Sequence, residues 1–375
     1  MKKELQSNLR RFIGMDLHTN KFNTCETSEN SDERKRNDFS INDRDLKQFT
    51  SSLDKNCYVI LESCTNAFKI AKKLRPFAKE VIVADTHKLK LIYNTNKKTD
   101  KIDAEKLSAI LKMQIISGEE LVNRVYIPND DMQDLRSLFT SYNAFTNMIV
   151  ATKNRIHSLL KENLIVFPKS ELTKKMRSEI LSLEIADSLK FQLELFIEQL
   201  ECMEAKKDKI VNQIKIVGFQ YYKQVEILTS IKGISVLSAL AIMADICDIN
   251  RFPNKKHLCS YLRSAPAVEI SNETIKIKKT NKFSRKLSIS FITQSVAHFK
   301  NTNPNLNKWY LRKTAKIKKG KIRMGACRKI ITNIFSMLKK EEYHFFRDEN
   351  NHRKKMKEYN NFLKKNDIIP ESKVA

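Results

Sequence analysis

A chain of 375 residues is long enough for two or three domains, each burying a core of its own. Its 70 lysines and arginines against 43 aspartates and glutamates leave a net charge of +27, which points to a polyanionic partner. No apolar run approaches the roughly 20 residues of a membrane span, and "MKKELQSNLRRFIGMD" carries no apolar segment of the secretory kind, so a membrane partner is not expected.

Six glycines and seven prolines favour helix over a many-turned sandwich or barrel. Seven cysteines without CxxC pairing fit reduced thiols and give a zinc site no support. In chain order, "RFIGMDL" reads as a strand ending near Asp16, and "KFNTCET" follows after a turn at His18 to Asn20. "RKRNDFSI" supplies a third strand, giving an antiparallel meander. "DRDLKQFTSSL" has a helix start at Asn42 or Asp43. "NCYVILES", "TNAFKIAKKLRPF" and "EVIVAD" then alternate strand, helix and strand, which implies a parallel pair with a right-handed crossover. Helices from about Thr86 and Asp100 close this α/β segment.

From about Met132 the pattern becomes long helices. Leu135, Leu138, Tyr142, Phe145, Ile149, Thr152, Ile156 and Leu159 step by three and four. So do Leu189, Leu193, Phe196, Leu200, Met203, Lys207, Ile210, Ile214 and Val217. These heptad spacings predict an antiparallel coiled-coil pair, serving as an internal core or also as a dimer seam. Near Glu226, "LTSIKGISVLSALAIMADI" reads as two apolar helices around Lys232 and Gly233, a helical hairpin whose turn amides could hold a DNA phosphate. Between Lys308 and Lys329 lie ten basic residues and no acid, among them Arg312, Lys313, Lys318, Lys319, Lys321 and Arg323. Such a run repels itself without a counter-polyanion, and Trp309 and Tyr310 at its head offer stacking surfaces. The last 30 or so residues read as a polar tail.

Four carboxylates stand out in so basic a chain. Asp16 and Glu62 close apolar strands, and Asp100 and Asp103 share one helical face. If the first and fourth strands are neighbours, the helix from Asp100 could bring all four together. Their mutual repulsion would then call for Mg²⁺ or Mn²⁺, bound by hard oxygen ligands and suited to phosphodiester chemistry. Taken singly, Asp100 is equally an N-cap, with Asp103 favourable in the first turn.

"IGMDLHTNKF", "VILESCTNAF" and "KKTDKIDAEKLS" resemble the three acidic motifs of the DEDD-type transposases of the insertion sequence 110 family. The block from "LTSIKGISVLSALAIMADI" to "VEISNETIKI" is similar to that family's C-terminal region. The likeness covers roughly residues 10 to 340. It implies a RuvC/ribonuclease-H-like domain over 1–125, a coiled-coil region over 126–222 and a mainly helical transposase domain over 223–345, before the tail of 346–375. It further implies a bacterial, cytoplasmic, nucleoid-associated enzyme that cleaves and exchanges strands at element ends and target DNA. A structured guide RNA and a homodimer or homotetramer belong to the same implication. Counting from Pro266, the family's nucleophilic serine falls on Ser271, with Ser264 and Ser284 as rivals. Arg263 and Ser264 stand where the family prefers Gly-Leu, and Asn272 stands for the usual glycine. The basic pair Arg285 and Lys286 lacks the glycine before it. The alternatives are a RuvC-like junction-resolving nuclease using water, and an inactive nucleic-acid-binding derivative.

Overall fold

The computed structural model describes residues 9–85, 100–166, 172–271, 274–280, 287–314 and 317–369. The chain forms two compact units, Met1–Pro128 and Asn129–Ala375.

The first unit is built on a five-stranded sheet of order β3-β2-β1-β4-β5. Its strands are β1 (Arg11–Leu17), β2 (Lys21–Ser28), β3 (Ser31–Ser40), β4 (Cys57–Glu62) and β5 (Glu80–Ala84). The first three form the antiparallel meander, and β1, β4 and β5 run parallel. Side chains alternate across the pleat, so each central strand feeds two cores. On one face Ile13, Met15, Val59, Leu61 and Val83 pack on α1 (Asp43–Ser51) and α2 (Ala67–Leu74). On the other, Phe12, Ile60, Ile82 and Ala84 pack on Leu107, Ile110 and Leu111 of α3 (Asp100–Ser117). Coverage on both sides explains why "YVIL" and "VIVA" read as unbroken apolar runs. Asn42 caps α1 by accepting from the Asp45 amide at 2.8 Å. The helix expected from Thr86 lies outside the described residues.

The second unit is mainly helical. Helices α4 (Asp130–Glu162) and α6 (Asp187–Val217) run antiparallel, with α5 (Lys174–Leu181) between them in sequence. Lys207 Nζ lies 5.9 Å from the Tyr142 ring centre, and Lys153 pairs with Glu204 at 3.2 Å. Lys207, the one charge in the expected apolar stripe, is thus held over an aromatic face. Phe139 and Ile197 are buried beside the expected Leu138 and Phe196, which are half-buried and pack against the same cores.

One core joins the apolar α8 (Val236–Ile246) with α7 (Tyr222–Thr229), α9 (Lys255–Tyr261), α10 (Leu287–Thr302), α11 (Pro304–Thr314) and α12 (Lys319–Lys340). The antiparallel pair β6 (Pro266–Ser271) and β7 (Thr274–Thr280) interrupts them. The expected polar tail is instead largely a helix, α13 (Glu349–Lys365). Met356, Tyr359 and Leu363 lie on one face and enter the main core, and the Tyr359 hydroxyl donates to the Lys215 carbonyl at 2.8 Å. That narrow stripe is masked by fourteen other residues that are almost all polar or charged. No described helix is long and apolar enough to cross a membrane.

Candidate active site and nucleic-acid interface

β1 and β4 pair in parallel up to Met15 opposite Leu61, and the next residues on each strand are Asp16 and Glu62. Pleat alternation puts Asp16 on the face of Phe12 and Gly14, and Glu62 on the face of Tyr58 and Ile60. Both therefore belong to the side of the sheet covered by α3. Asp16 is almost buried, at 8% exposure, and its Oδ2 lies 2.9 Å from His18 Nε2.

Two contacts fix the direction of α3. The Ser108 hydroxyl donates to the Phe12 carbonyl at 2.9 Å. A Cβ on Gly14 would stand 2.1 Å from the Ala104 carbonyl oxygen and 2.5 Å from the Ser108 amide. Only a glycine lets helix and strand approach so closely. Two strand residues advance about 6.6 Å, close to the rise of four helical residues at about 6 Å. The step from Gly14 to Asp16 is thus matched by the step from Ala104 back to Asp100, and the N-terminus of α3 runs toward the carboxyl ends of β1 and β4. Asp103 is half-exposed, with Lys106 Nζ at 3.7 Å from its carboxylate. The Asp100 backbone opens the helix, and its side chain lies outside the described residues. Among the described residues no three His, Cys, Asp or Glu side chains form a ready cation cage.

Two features nearby carry no signal in the local sequence, a polar row and an acid on α3. Asn23 pairs with Asp16 across β1–β2, and Asp38 pairs with Asn23 across β2–β3, so a polar row crosses the same face. The turn at His18 to Asn20 sets that register. The second is Glu105 of α3, whose carboxylate accepts from Arg36 Nε at 2.5 Å and Arg34 Nη1 at 2.6 Å. Burial opposes its charge, but those two hydrogen bonds hold its carboxyl below the usual range. The pair tethers β3 to the helix that carries Asp100 and Asp103.

In the second unit Ser271 is the last residue of β6, opposite Thr274 at the end of the hairpin. Its side chain, Asn272, Ser284, Arg285 and Lys286 lie outside the described residues. Ser264 is fully buried and donates to the Cys259 carbonyl at 2.8 Å, which removes it from any substrate. Arg263 adopts φ 58°, the left-handed conformation that favours glycine, as it closes α9.

The turn between α7 and α8 is tightly held. Gly233 has φ 92°, and a Cβ there would meet His298 and Ser295. Lys232 Nζ pairs with Asp348 at 3.1 Å. Lys355 Nζ donates to the carbonyls of Thr229 and Ile234 at 2.9 Å each and of Ile231 at 3.4 Å. Burial pushes the Lys355 ammonium down to about 8. Further on, Lys308, Arg312, Lys318, Lys319, Lys321 and Arg323 are exposed, while Lys313 is half-buried. Among the described residues none of these seven has a carboxylate within ion-pair distance, so their field is free for phosphate. Trp309 is partly sunk, its ring tight against Gly325, with Lys329 Nζ 5.1 Å above it.

Residues 13–165 match the family model of DEDD transposases of IS110, described as "Transposase". Residues 225–310 match the model described as "Transposase IS116/IS110/IS902 family". No curated protein matches. The two models follow one another in the order of the two units and together take in more than half of the chain. The chain belongs to the IS110 family of DEDD transposases, enzymes that act on DNA.

Proposed function

We propose that the chain is a serine-dependent strand-exchange transposase whose acidic centre is Asp16, Glu62, Asp100 and Asp103. The observation that supports this reading is that two acidic strand ends share the face of the sheet on which α3 is seated, with the helix directed N-terminus first toward them. The strand order β3-β2-β1-β4-β5 supports a RuvC/ribonuclease-H-like assignment for residues 1–125. The long helices within 126–222 would form the coiled-coil region and 223–345 the transposase domain.

A nearly buried carboxylate at Asp16, with hard oxygen donors on the neighbouring strand and helix, fits Mg²⁺ or Mn²⁺. Such an ion, when bound, supplies Lewis-acid polarisation and neutralises charge on the phosphoryl oxygens. Asp16 and Glu62 hold their positions because their strands are hydrogen-bonded in register, and the Glu105 tether holds the helix. Ser271 attacks the DNA phosphorus: its hydroxyl gives up a proton, a Ser Oγ–P bond forms, and the P–O bond to the leaving sugar breaks. The departing sugar oxygen takes a proton. A hydroxyl from the incoming strand reverses these changes, so the phosphodiester is rejoined with no net hydrolysis.

The exposed cations of α11 and α12 would track backbone phosphates, whether of DNA or of a guide RNA. Phe191 and Leu195, exposed one turn apart on α6, offer an apolar face for a homodimer or homotetramer. Such an assembly could set one subunit's serine beside another's acids.

Ser271→Ala should abolish covalent protein–DNA adducts on denaturing gels while leaving DNA binding unchanged. Adducts persisting in that variant would move the nucleophile elsewhere. Cleaved DNA without any adduct in the parent protein would favour the hydrolytic, junction-resolving alternative.

A further inference from the structure

A cleft in the second unit has no role in the chemistry above. It lies between the α10–α11 junction, α12 and the segment leading to α13. Two adjoining cavities of about 340 and 410 Å³ make it up, and both are bordered by Asn303 and Asn333. Asn305 and Thr332 line one end, and Tyr343 and Phe345 stand at the other. Each cavity is within the range of small-ligand clefts, roughly 300–1,000 Å³.

The chemistry of the lining is specific. An asparagine amide carries donors and an acceptor side by side, the pattern that matches the edge of a nucleobase. The Asn303 side-chain oxygen accepts from the Leu306 amide at 3.0 Å and Asn333 Nδ2 lies 3.4 Å from His344 Nε2, so the Asn303 amide donors and the Asn333 oxygen are the groups to meet a base. Phe345 is 91% exposed, the most open aromatic ring among the described residues. Phe346 stands perpendicular to it, with centroids 5.0 Å apart and planes at 89°, and at this exposure the Phe345 ring keeps a flat face open to a ligand. Tyr343 beside it is braced by Arg347, whose guanidinium lies 4.7 Å from the ring centre. Lys329 and Lys340 flank the cleft from α12, the helix that carries much of the exposed positive charge. Glu342, the acid at its rim, lies 3.9 Å from Lys340. Bases stacked inside a duplex cannot enter such a recess, whereas an unpaired base can be splayed out and sandwiched there.

We propose that this cleft takes an unpaired nucleobase of a single strand, with Phe345 stacking on its face and the Asn303–Asn333 amides lying along its edge. The proposal rests on the nucleic-acid reading of the enzyme and adds to it a site for single strands, of the kind strand exchange exposes. The unpaired base could belong to DNA or to RNA, and both are tested.

Anisotropy titrations of the full chain at fixed salt would compare a short single-stranded DNA, the matching RNA and the duplex, for the parent protein and Phe345→Ala. The ring is so exposed that its removal spares the fold. Loss of one stacked base lowers single-strand affinity by about 5- to 100-fold, with duplex affinity within about twofold. The arm that shows the loss, DNA or RNA, names the source of the base. Equal loss on single strand and duplex, or no loss on either single strand, overturns the proposal. So does a change in the sedimentation of the free protein on Phe345→Ala, which would make the ring a subunit contact. If the parent chain bound no nucleic acid at all, the broader reading would fall. Parent binding with an indifferent Phe345→Ala would sink the cleft alone.

Discussion

Replacing Gly14 by alanine adds one methyl group to the place where α3 comes nearest the sheet. The new Cβ would stand 2.1 Å from the Ala104 carbonyl oxygen, 2.5 Å from the Ser108 amide and 2.9 Å from the Leu107 Cβ. Two of those atoms are backbone, so no rotamer change relieves the clash. Restoring ordinary contact moves the helix about 1 Å or more away from β1. Overpacking of this kind costs about 1–3 kcal/mol, and the same movement stretches the Ser108 to Phe12 hydrogen bond of 2.9 Å. The functional effect should be larger than the loss of stability, because the helix carries Asp100 and Asp103 toward Asp16. A displacement of about 1 Å in a catalytic group can cost on the order of 100-fold in rate. Urea unfolding followed by circular dichroism gives the first quantity, and cleavage of a labelled DNA substrate with Mg²⁺ or Mn²⁺ gives the second. Gly320→Ala serves as the control: nothing lies within 4 Å of its added Cβ, and it sits in the first turn of α12. That variant should be neutral or slightly stabilising. A Gly14→Ala protein with parent stability and parent cleavage would refute the close seating of α3 on β1, and with it the approach of the four acids.

Arg263→Gly should stabilise the chain. The arginine is held at φ 58°, which costs an L-residue roughly 1–2 kcal/mol. The extra freedom of glycine in the unfolded chain offsets about 0.4–1 kcal/mol of that, leaving a net gain of roughly 0.5–1 kcal/mol, readable as a higher urea midpoint with an unchanged slope. Acid should loosen the second unit through two imidazoles. Burial pushes His344 and His352 below their ordinary 6.5, so both are neutral in the folded protein. As the pH drops past 6.5 the unfolded chain binds protons first, and stability falls until the folded values are passed. Thermal melts from neutral pH down to about pH 5 should show that slope, and a double substitution to glutamine should flatten it. An unchanged slope would mean that other groups set the acid limit.

The sheet of the first unit was readable because its strands had two signatures at once. The unbroken runs of β1, β4 and β5 belong to strands covered on both faces, and the charged sequence of β3 belongs to an open edge, where every residue but Phe39 is exposed. The long helices were readable by period. The expected positions Ile149, Thr152, Ile156, Leu159, Leu200 and Met203 are buried, and beside the half-buried Leu138 and Phe196 their neighbours Phe139 and Ile197 are buried as well. The hairpin β6–β7 is hard to read as strand: it is short, and "ETIKIKKT" is mostly polar, with only Ile275 and Ile277 in alternation.

The site divides along a different line. Which acids could meet depended on knowing that β1 and β4 are neighbours, a fact of topology that local spacing does not contain. Once that neighbour relation exists, pleat parity and one glycine do the rest: Asp16 and Glu62 must share a face, and Gly14 sets how near the helix comes. The turn at Lys232 and Gly233 resisted reading for the opposite reason. Its local sequence described a phosphate-binding hairpin, but the groups that hold it, Asp348 and Lys355, come from more than a hundred residues away. With Lys232 turned toward Asp348, its side chain is committed within the protein. The turn's carbonyls converge on one buried ammonium, so Lys355 acts as a tethered cation that fixes the turn from inside. On the proposed nucleic-acid reading, a phosphate contact at this hairpin would fall to its backbone amides, and the side-chain charge would come from α11 and α12.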